Sequence, residues 1–438
     1  MTPENIIEKV RNAGVVGAGG AGFPTHIKLQ AKVNTVIANG AECEPLLKID
    51  QQVMALKCEK VVRGLDLVME STGAGKGIIA IKKKYHKACE VMLDVVRNTK
   101  KDISVFYLDN YYPAGDEFTL VYDVTGRIIP EGGLPLNVGC VVDNVITLIN
   151  IADAVDGGMP VTDRPVTICG AVKKPISIIL PVGTPVETAI QLAGGATISD
   201  YVILDGGPMM GVVIPEGHVI TKKTSGVIIL PPDITASTMK TSSVSHTVKQ
   251  VKSACEQCQD CTEICPRFLL GHKFECHKIQ RSVGAGKFEN LTTAFLCSEC
   301  GLCDWVCPMR LLPRRVNQEV KKQLISHGIK NPHKGVPVAV HPMRQYRKVP
   351  PERVMGRLDV LKYDNPAPLT ELAEEIRQVS IPLLQNVGVP SEPVVKIGDR
   401  VKKGDLIAKI PEGKLSANLH ASIDGRITGI NGYIKIER

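Results

Sequence analysis

Eight of the chain's 14 cysteines fall into two copies of one pattern. Cys255-x2-Cys258-x2-Cys261-x3-Cys265-Pro266 is followed by Cys297-x2-Cys300-x2-Cys303-x3-Cys307-Pro308. Two-residue gaps let three successive thiolates close on one [4Fe–4S] cube, and where the run is doubled the fourth cysteine serves the other cube. The spacing therefore assigns Cys255, Cys258, Cys261 and Cys307 to one cluster. Cys265, Cys297, Cys300 and Cys303 go to the second, and each proline turns the chain away after a fourth ligand. Paired C-x2-C motifs also hold zinc, but zinc has no need of a doubled four-cysteine run with a terminal proline. Of the six other cysteines, Cys43, Cys58, Cys89, Cys140 and Cys169 read as small buried hydrophobes. Cys276, between the two motifs, is the candidate accessory thiol.

Thiols used this way imply a reducing compartment. The N-terminal MTPENIIEKVRN has no apolar core of a signal peptide. The longest apolar stretch, Pro175 to Ser199, is broken by Glu187, prolines and glycines, so no integral membrane segment is expected. The expected location is the cytoplasm. At roughly 150 residues per domain, 438 residues imply three or more domains. Aromatic residues make up only 4%, too few stacking platforms for a single-stranded nucleic-acid binder, and no nucleic-acid partner is expected.

Patterning divides the chain. Thr2-Pro3-Glu4 starts a helix that Gly14 ends. A glycine-dense loop follows, then a strand at Val33–Ala38. Helical and strand patterns alternate at Gln51–Ser71, Ile78–Ile81, Tyr85–Asn98 and Ser104–Leu108, which predicts an α/β layer over residues 1–160. Strands at Val166–Val172, Ile176–Leu180 and Tyr201–Asp205, with a helix at Pro185–Ala193, predict a β-grasp module over 161–234. Thr235–Thr247 reads as a linker into the ferredoxin-like cluster domain, 235–330. A basic linker, 331–378, leads to a compact all-β unit over 379–438, with strands at Val394–Ile397, Leu406–Ile410 and Arg426–Ile430. The fold class is thus multidomain α/β plus α+β. Gly73-Ala74-Gly75-Lys76-Gly77 resembles a phosphate loop, but Gly77 stands where Ser or Thr is required, and a strand follows; it reads as a turn.

The loop Gly17-Ala18-Gly19-Gly20-Ala21-Gly22 permits close backbone approach to a phosphate. With Phe23-Pro24-Thr25-His26-Ile27-Lys28 and Asn39-Gly40-Ala41-Glu42-Cys43-Glu44-Pro45, it resembles the FMN-binding subunit of respiratory complex I and its RnfC relatives. Tyr112-Pro113-Ala114-Gly115-Asp116-Glu117 and Asp143-Asn144-Val145-Ile146-Thr147 fit the same pattern. The resemblance implies a Rossmann-like domain in which Gly17, Gly19, Gly20, Ala21, Gly22 and Lys28 hold FMN phosphate and ribityl, with Asn39, Glu42, Asn144 and Thr147 as further flavin contacts. It implies that Phe23, Glu44, Tyr112 and Glu117 face NADH, though Ala18 replaces the family's arginine and Leu29-Gln30 its second aromatic. Hydride transfer requires no proton from these side chains, so no acid–base residue is expected.

Glu392–Gly404 and His420-Ala421-Ser422 are similar to the RnfC barrel-sandwich hybrid, without a Met-Lys-Met hairpin for a carrier group. RnfC places that module first. The order here (flavin domain, SLBB β-grasp, clusters, sandwich hybrid) is similar to that of the cobalamin reductases of propanediol-utilisation microcompartments. That resemblance implies NADH oxidation through FMN, relay through two [4Fe–4S] clusters, and a corrinoid, or a corrinoid-dependent enzyme or adenosyltransferase, as acceptor. It also implies shell proteins as partners. The alternative is an Rnf-type adaptor that does not itself oxidise NADH. Finally, the net charge of +8 is local: Leu311 to Lys362 carries 12 Lys/Arg against 3 Asp/Glu, +9. It reads either as a solvated face or as a docking strip for an acidic redox partner.

Overall fold

The computed structural model describes residues 1–337 and 339–438. Strands β1 (Thr35–Gly40), β2 (Lys76–Lys82), β3 (Ile103–Leu108) and β4 (Cys140–Asn144) form a parallel sheet in the order β3-β2-β1-β4. Their apolar runs do not alternate with polar residues because both faces are covered. Val36 and Ala38 join the core beneath helices Pro3–Asn12, Cys58–Thr72 and Val145–Gly157, while Ile37 faces Leu120 and Val121 of helix Glu117–Thr125. The first helix buries Ile6 and Val10 in this core, as a structural element of the flavin-type domain. Gly73, with φ of 73°, caps helix Cys58–Thr72 ahead of β2, which makes the phosphate-loop lookalike a turn.

The periodicity of Gln51–Ser71 spans two helices, Ile49–Leu56 and Cys58–Thr72, broken at Lys57 (φ −122°, ψ 35°). Different forces set their axes. Glu42 anchors the first by accepting from the Asp50 N–H at 2.6 Å. The second packs on helix Val145–Gly157 through Gly64, where a Cβ would lie 2.0 Å from the Leu148 carbonyl oxygen.

A six-stranded sheet follows, made of β5 (Asp163–Gly170), β6 (Ile176–Pro181), β7 (Val202–Asp205), β8 (Val212–Ile214), β9 (Gly226–Leu230) and β10 (Leu369–Thr370). Its order is β10-β6-β5-β9-β7-β8, so a strand from beyond the clusters completes one edge. Thr235–Thr247 is not an extended connector: it contains helix Thr235–Thr241 and the start of Val244–Ala254. Serine and threonine are indifferent helix formers. Here Ser243 caps the second helix, and Asp359 accepts from the Thr235 N–H at the start of the first. The C-terminal unit has two small antiparallel sheets around Ile381, Ile407, Leu419, Ile427 and Ile434. Its early strand is Glu392–Pro393 rather than Val394–Ile397.

Lys222 ties three units together. Its buried Nζ donates to the carbonyls of Gly14 (2.7 Å) and Asn418 (2.8 Å). Burial lowers its pKa from 10.5 to about 7. Between those values the unfolded chain holds a proton that the folded chain lacks, so this residue's contribution to stability rises with pH. In urea titrations, wild type should gain stability relative to Lys222→Met between about pH 7 and about pH 9; a constant difference would contradict the assignment.

Candidate flavin and iron–sulfur sites

Strand order reverses between β1 and β4, and in open α/β sheets ligands bind in the crevice at the carboxyl ends of such strands. Asn39 and Asn144 are direct partners across that ladder, at its carboxyl end. Asn39 donates to the Gly115 carbonyl (2.9 Å). Asn144 accepts from the Ile146 N–H (2.9 Å), capping helix Val145–Gly157, and donates to Asp50 (2.8 Å). The glycine loop lies directly above. The Ala18 N–H donates to Thr147 Oγ1 at 2.9 Å, a Cβ on Gly19 would sit 3.0 Å from Asn144 Cβ, and Gly20 has nothing within 4 Å of that position.

Lys28 enters from below, donating to the Val142 carbonyl (2.7 Å) and Asp143 (3.1 Å), with Glu117 at 4.0 Å. Burial pulls its pKa down, but Asp143 and Glu117 outweigh it and hold the amine above its ordinary value. Burial raises both Asp143 and Glu117. Asp143 Oδ2, on the residue before Asn144 in β4, is buried with no partner. A ribityl chain offers hydroxyl donors of the kind this oxygen lacks, and the open backbone at Gly20 suits a phosphate, so the residues present fit FMN. Glu42 is placed differently: its carboxylate is occupied by the N–H groups of Asp50 and Gln51 and the Gln51 side chain, an anchor for the neighbouring helix.

The four residues expected to face NADH are not brought onto one open surface. Phe23 is exposed and the Glu117 side chain is 46% accessible. Glu44 and Tyr112 are enclosed. The Glu44 carboxylate accepts from the N–H groups of Met209 (2.9 Å) and Met210 (2.8 Å) of the β7–β8 loop. The Tyr112 hydroxyl donates to the Cys300 carbonyl at 2.6 Å and lies 3.3 Å from Glu44. Burial raises the pKa of Glu44, opposed first by the Lys240 ammonium and then by the Met209 and Met210 N–H groups. In this arrangement both residues join the flavin-type domain to its neighbours.

Cys255, Cys258, Cys261 and Cys307 line one cavity. Cys265 faces Cys300, Cys297 and Cys303. Burial first, then neighbouring thiols, raises Cys297 to about 11 and Cys300 to about 12. Such sulfurs ionise against a bound cation, since metal ligands must be deprotonated. No three His, Cys, Asp or Glu side chains among the described residues converge on a single-ion site. Gln280, at the first set, and Asn317, at the second, each keep a buried oxygen without a partner.

Sequence reasoning did not single out Asp143 or Asp116, although both lie inside the quoted motifs. It also missed Arg164, which gives no local signal. From β5 its buried guanidinium donates to the Ala18 carbonyl (2.8 Å), holding the glycine loop from beneath.

Known families divide the chain in the same way. Residues 10–153 match the Nuo51 FMN-binding domain, 165–213 the SLBB domain, 254–312 a 4Fe-4S dicluster domain, and 362–437 the RnfC barrel sandwich hybrid domain. Crevice and thiol sets on this framework define an iron–sulfur flavoprotein oxidoreductase. Over 432 residues the chain is 40% identical to the cobalamin reductase PduS of Citrobacter freundii, covering 98% of this chain and 95% of that protein. It belongs to the PduS cobalamin reductase family. It is also 38% identical, over 61% of its length and 59% of the relative's, to one component of the Na(+)-translocating ferredoxin:NAD(+) oxidoreductase complex of Acetobacterium woodii. An NAD+-reducing [NiFe]-hydrogenase chain shares the fold at 20% identity and a TM-score of 0.51, over 76% of this chain and 64% of that one. Among the described residues no helix is long and apolar enough to cross a membrane.

Proposed function

We propose that the chain is an NADH-oxidising cobalamin reductase that passes single electrons through two [4Fe–4S] clusters to a corrinoid. The observation that carries this reading is contact: the Tyr112 hydroxyl on the Cys300 carbonyl (2.6 Å) and the buried Arg267–Asp116 pair join the flavin-type crevice directly to the cysteine motifs. Bound FMN supplies the conversion between a two-electron hydride donor and one-electron carriers. The glycine loop, Lys28, Asn39, Asn144 and Thr147 hold and orient it, and Arg164 fixes the loop. Phe23 and Glu117 border the accessible side where a nicotinamide ring would lie. The two thiol sets hold one cluster each. Family membership supports a corrinoid as acceptor; an adenosyltransferase that receives it, and a cytoplasmic place within a microcompartment among shell proteins, belong to the same proposal.

Mixing anaerobically reconstituted protein with NADH should bleach flavin and cluster absorbance, and cob(III)alamin should restore it. Flavin and clusters that stay oxidised would sink the proposal. The enclosure of Glu44 by Met209 and Met210 favours one alternative, an adaptor loaded by a separate dehydrogenase. Flavin-replete protein lacking NADH:ferricyanide activity would select it.

A further inference from the structure

The two thiol sets differ in where they sit. Cys265, Cys300 and Cys303 are buried and Cys297 is half-buried. This inner set touches the segment Tyr111–Glu117 twice: Tyr112 donates to the Cys300 carbonyl, and Asp116 pairs with Arg267, two residues after Cys265. The next residue along, Glu117, borders Lys28 in the flavin crevice. The outer set opens to solvent. Cys258 is exposed together with all of residues 256–260, and so are Pro308, Met309 and Arg310 beside Cys307. Between the sets lies a ninth thiol. Cys276 is fully buried at the start of helix Cys276–Ala285, with Cys261 of the outer set and Cys303 of the inner as its neighbouring thiols. Asn317 Nδ2 reaches Cys276 Sγ (3.4 Å) and Cys297 Sγ (3.6 Å), so one amide fixes the bridge against the inner set.

We propose that electrons arrive at Cys265, Cys297, Cys300 and Cys303, cross at Cys276, and leave at Cys255, Cys258, Cys261 and Cys307. This rests on the flavin and two-cluster reading above. The balance is NADH plus two Co(III) giving NAD+, one proton and two Co(II), each electron passing both stations in that order. Cys276 is a positioning residue: it ligates neither cluster, and it fills with polarisable sulfur the gap between a ligand of each. The exposed segments around Cys258 and Cys307 form the surface on which the acceptor docks.

The test uses the full chain, reconstituted anaerobically with iron, sulfide and FMN, with low-temperature EPR of each reduced cluster. In Cys300→Ser, dithionite should still reduce the outer cluster, while NADH reduces flavin and leaves that cluster oxidised. In Cys258→Ser, NADH should still reduce the inner cluster. The reverse pattern overturns the order. Cys276→Ala should slow outer-cluster reduction by NADH at least tenfold with the dithionite end point unchanged, and Cys276→Ser should recover part of the rate; a wild-type rate in Cys276→Ala overturns the bridge. If serine variants fail to assemble, wild type still decides: a soluble dysprosium chelate should broaden the outer signal and spare the inner one, and equal broadening overturns the assignment. Should NADH reduce nothing in wild type, the functional reading fails, and photoreduction of bound flavin with EDTA replaces NADH in the same comparisons.

Discussion

Gly19→Val is expected to weaken FMN binding about 100-fold, roughly 2.8 kcal/mol at 1.4 kcal/mol per decade. A Cβ at Gly19 would already sit 3.0 Å from Asn144 Cβ and 3.1 Å from Asn144 Nδ2. Valine's two methyl groups therefore cannot be seated without moving Asn144. That side chain has two attachments: it caps helix Val145–Gly157, and it donates to buried Asp50 at 2.8 Å. Moving it withdraws a cap worth about 1 kcal/mol and leaves a buried carboxylate short of a donor, at about 1–3 kcal/mol. The alternative, displacement of the loop, breaks the Ala18–Thr147 hydrogen bond that fixes the phosphate-facing backbone. Either route spoils the crevice and spares the sheet, because Val36, Ala38 and Ile79 pack elsewhere. Quenching of FMN fluorescence on titration with apoprotein measures the change, and circular dichroism checks the fold. An affinity within twofold of wild type would mean that the flavin does not lie under this loop.

The grouping of the thiols was legible because it is largely local: a two-residue gap fixes which sulfurs meet, and Cys255, Cys258, Cys261 and Cys307 do line one cavity. The glycine loop was legible for a similar reason, since only a backbone free of side chains approaches Asn144 so closely. What stayed hidden is how side chains are used across domains. Nothing near Glu44 in sequence announces that backbone N–H groups of Met209 and Met210, 165 and 166 residues away, take its carboxylate. Thr235–Thr247 misled because its composition suits a connector, whereas Asp359, 124 residues on, holds the helix start that composition disfavours. The split at Lys57 was invisible to periodicity because both helices continue the same apolar spacing. Only the anchor at Glu42 and the Gly64 contact separate their axes.

Arg344→Met is expected to destabilise the protein by about 3–5 kcal/mol, the typical cost of stranding one member of a buried ion pair. Arg344 lies in the +9 strip, read from sequence as a solvated or docking face, yet its side chain is 10% exposed and its partner Asp123 13%. The guanidinium donates to Asp123 at 2.7 Å, lies 4.6 Å from the Tyr122 ring, and approaches the Tyr111 hydroxyl, which itself donates to Asp123. Other charges of the strip reach across to neighbouring units, some of them at the surface. Arg314 donates to Met209 O (2.7 Å), Arg315 to Lys240 O (2.8 Å), and Arg357 to Cys307 O (3.1 Å), while Lys321, Arg347 and Lys348 pair with Glu299, Glu263 and Asp109. These contacts clamp the flavin-type, β-grasp and cluster units to one another, while Lys322, Lys330, Lys334, Arg353 and Lys362 of the same strip stay exposed. Deleting both members tests this against a generic packing loss. Arg344→Met with Asp123→Leu should recover most of the stability lost in Arg344→Met alone, because no uncompensated charge remains buried. Urea midpoints of the two single variants and the double variant provide the comparison. Additive losses would mean that the pair contributes by packing, and a loss below about 1 kcal/mol, the range of exposed pairs, would return the strip to the solvent.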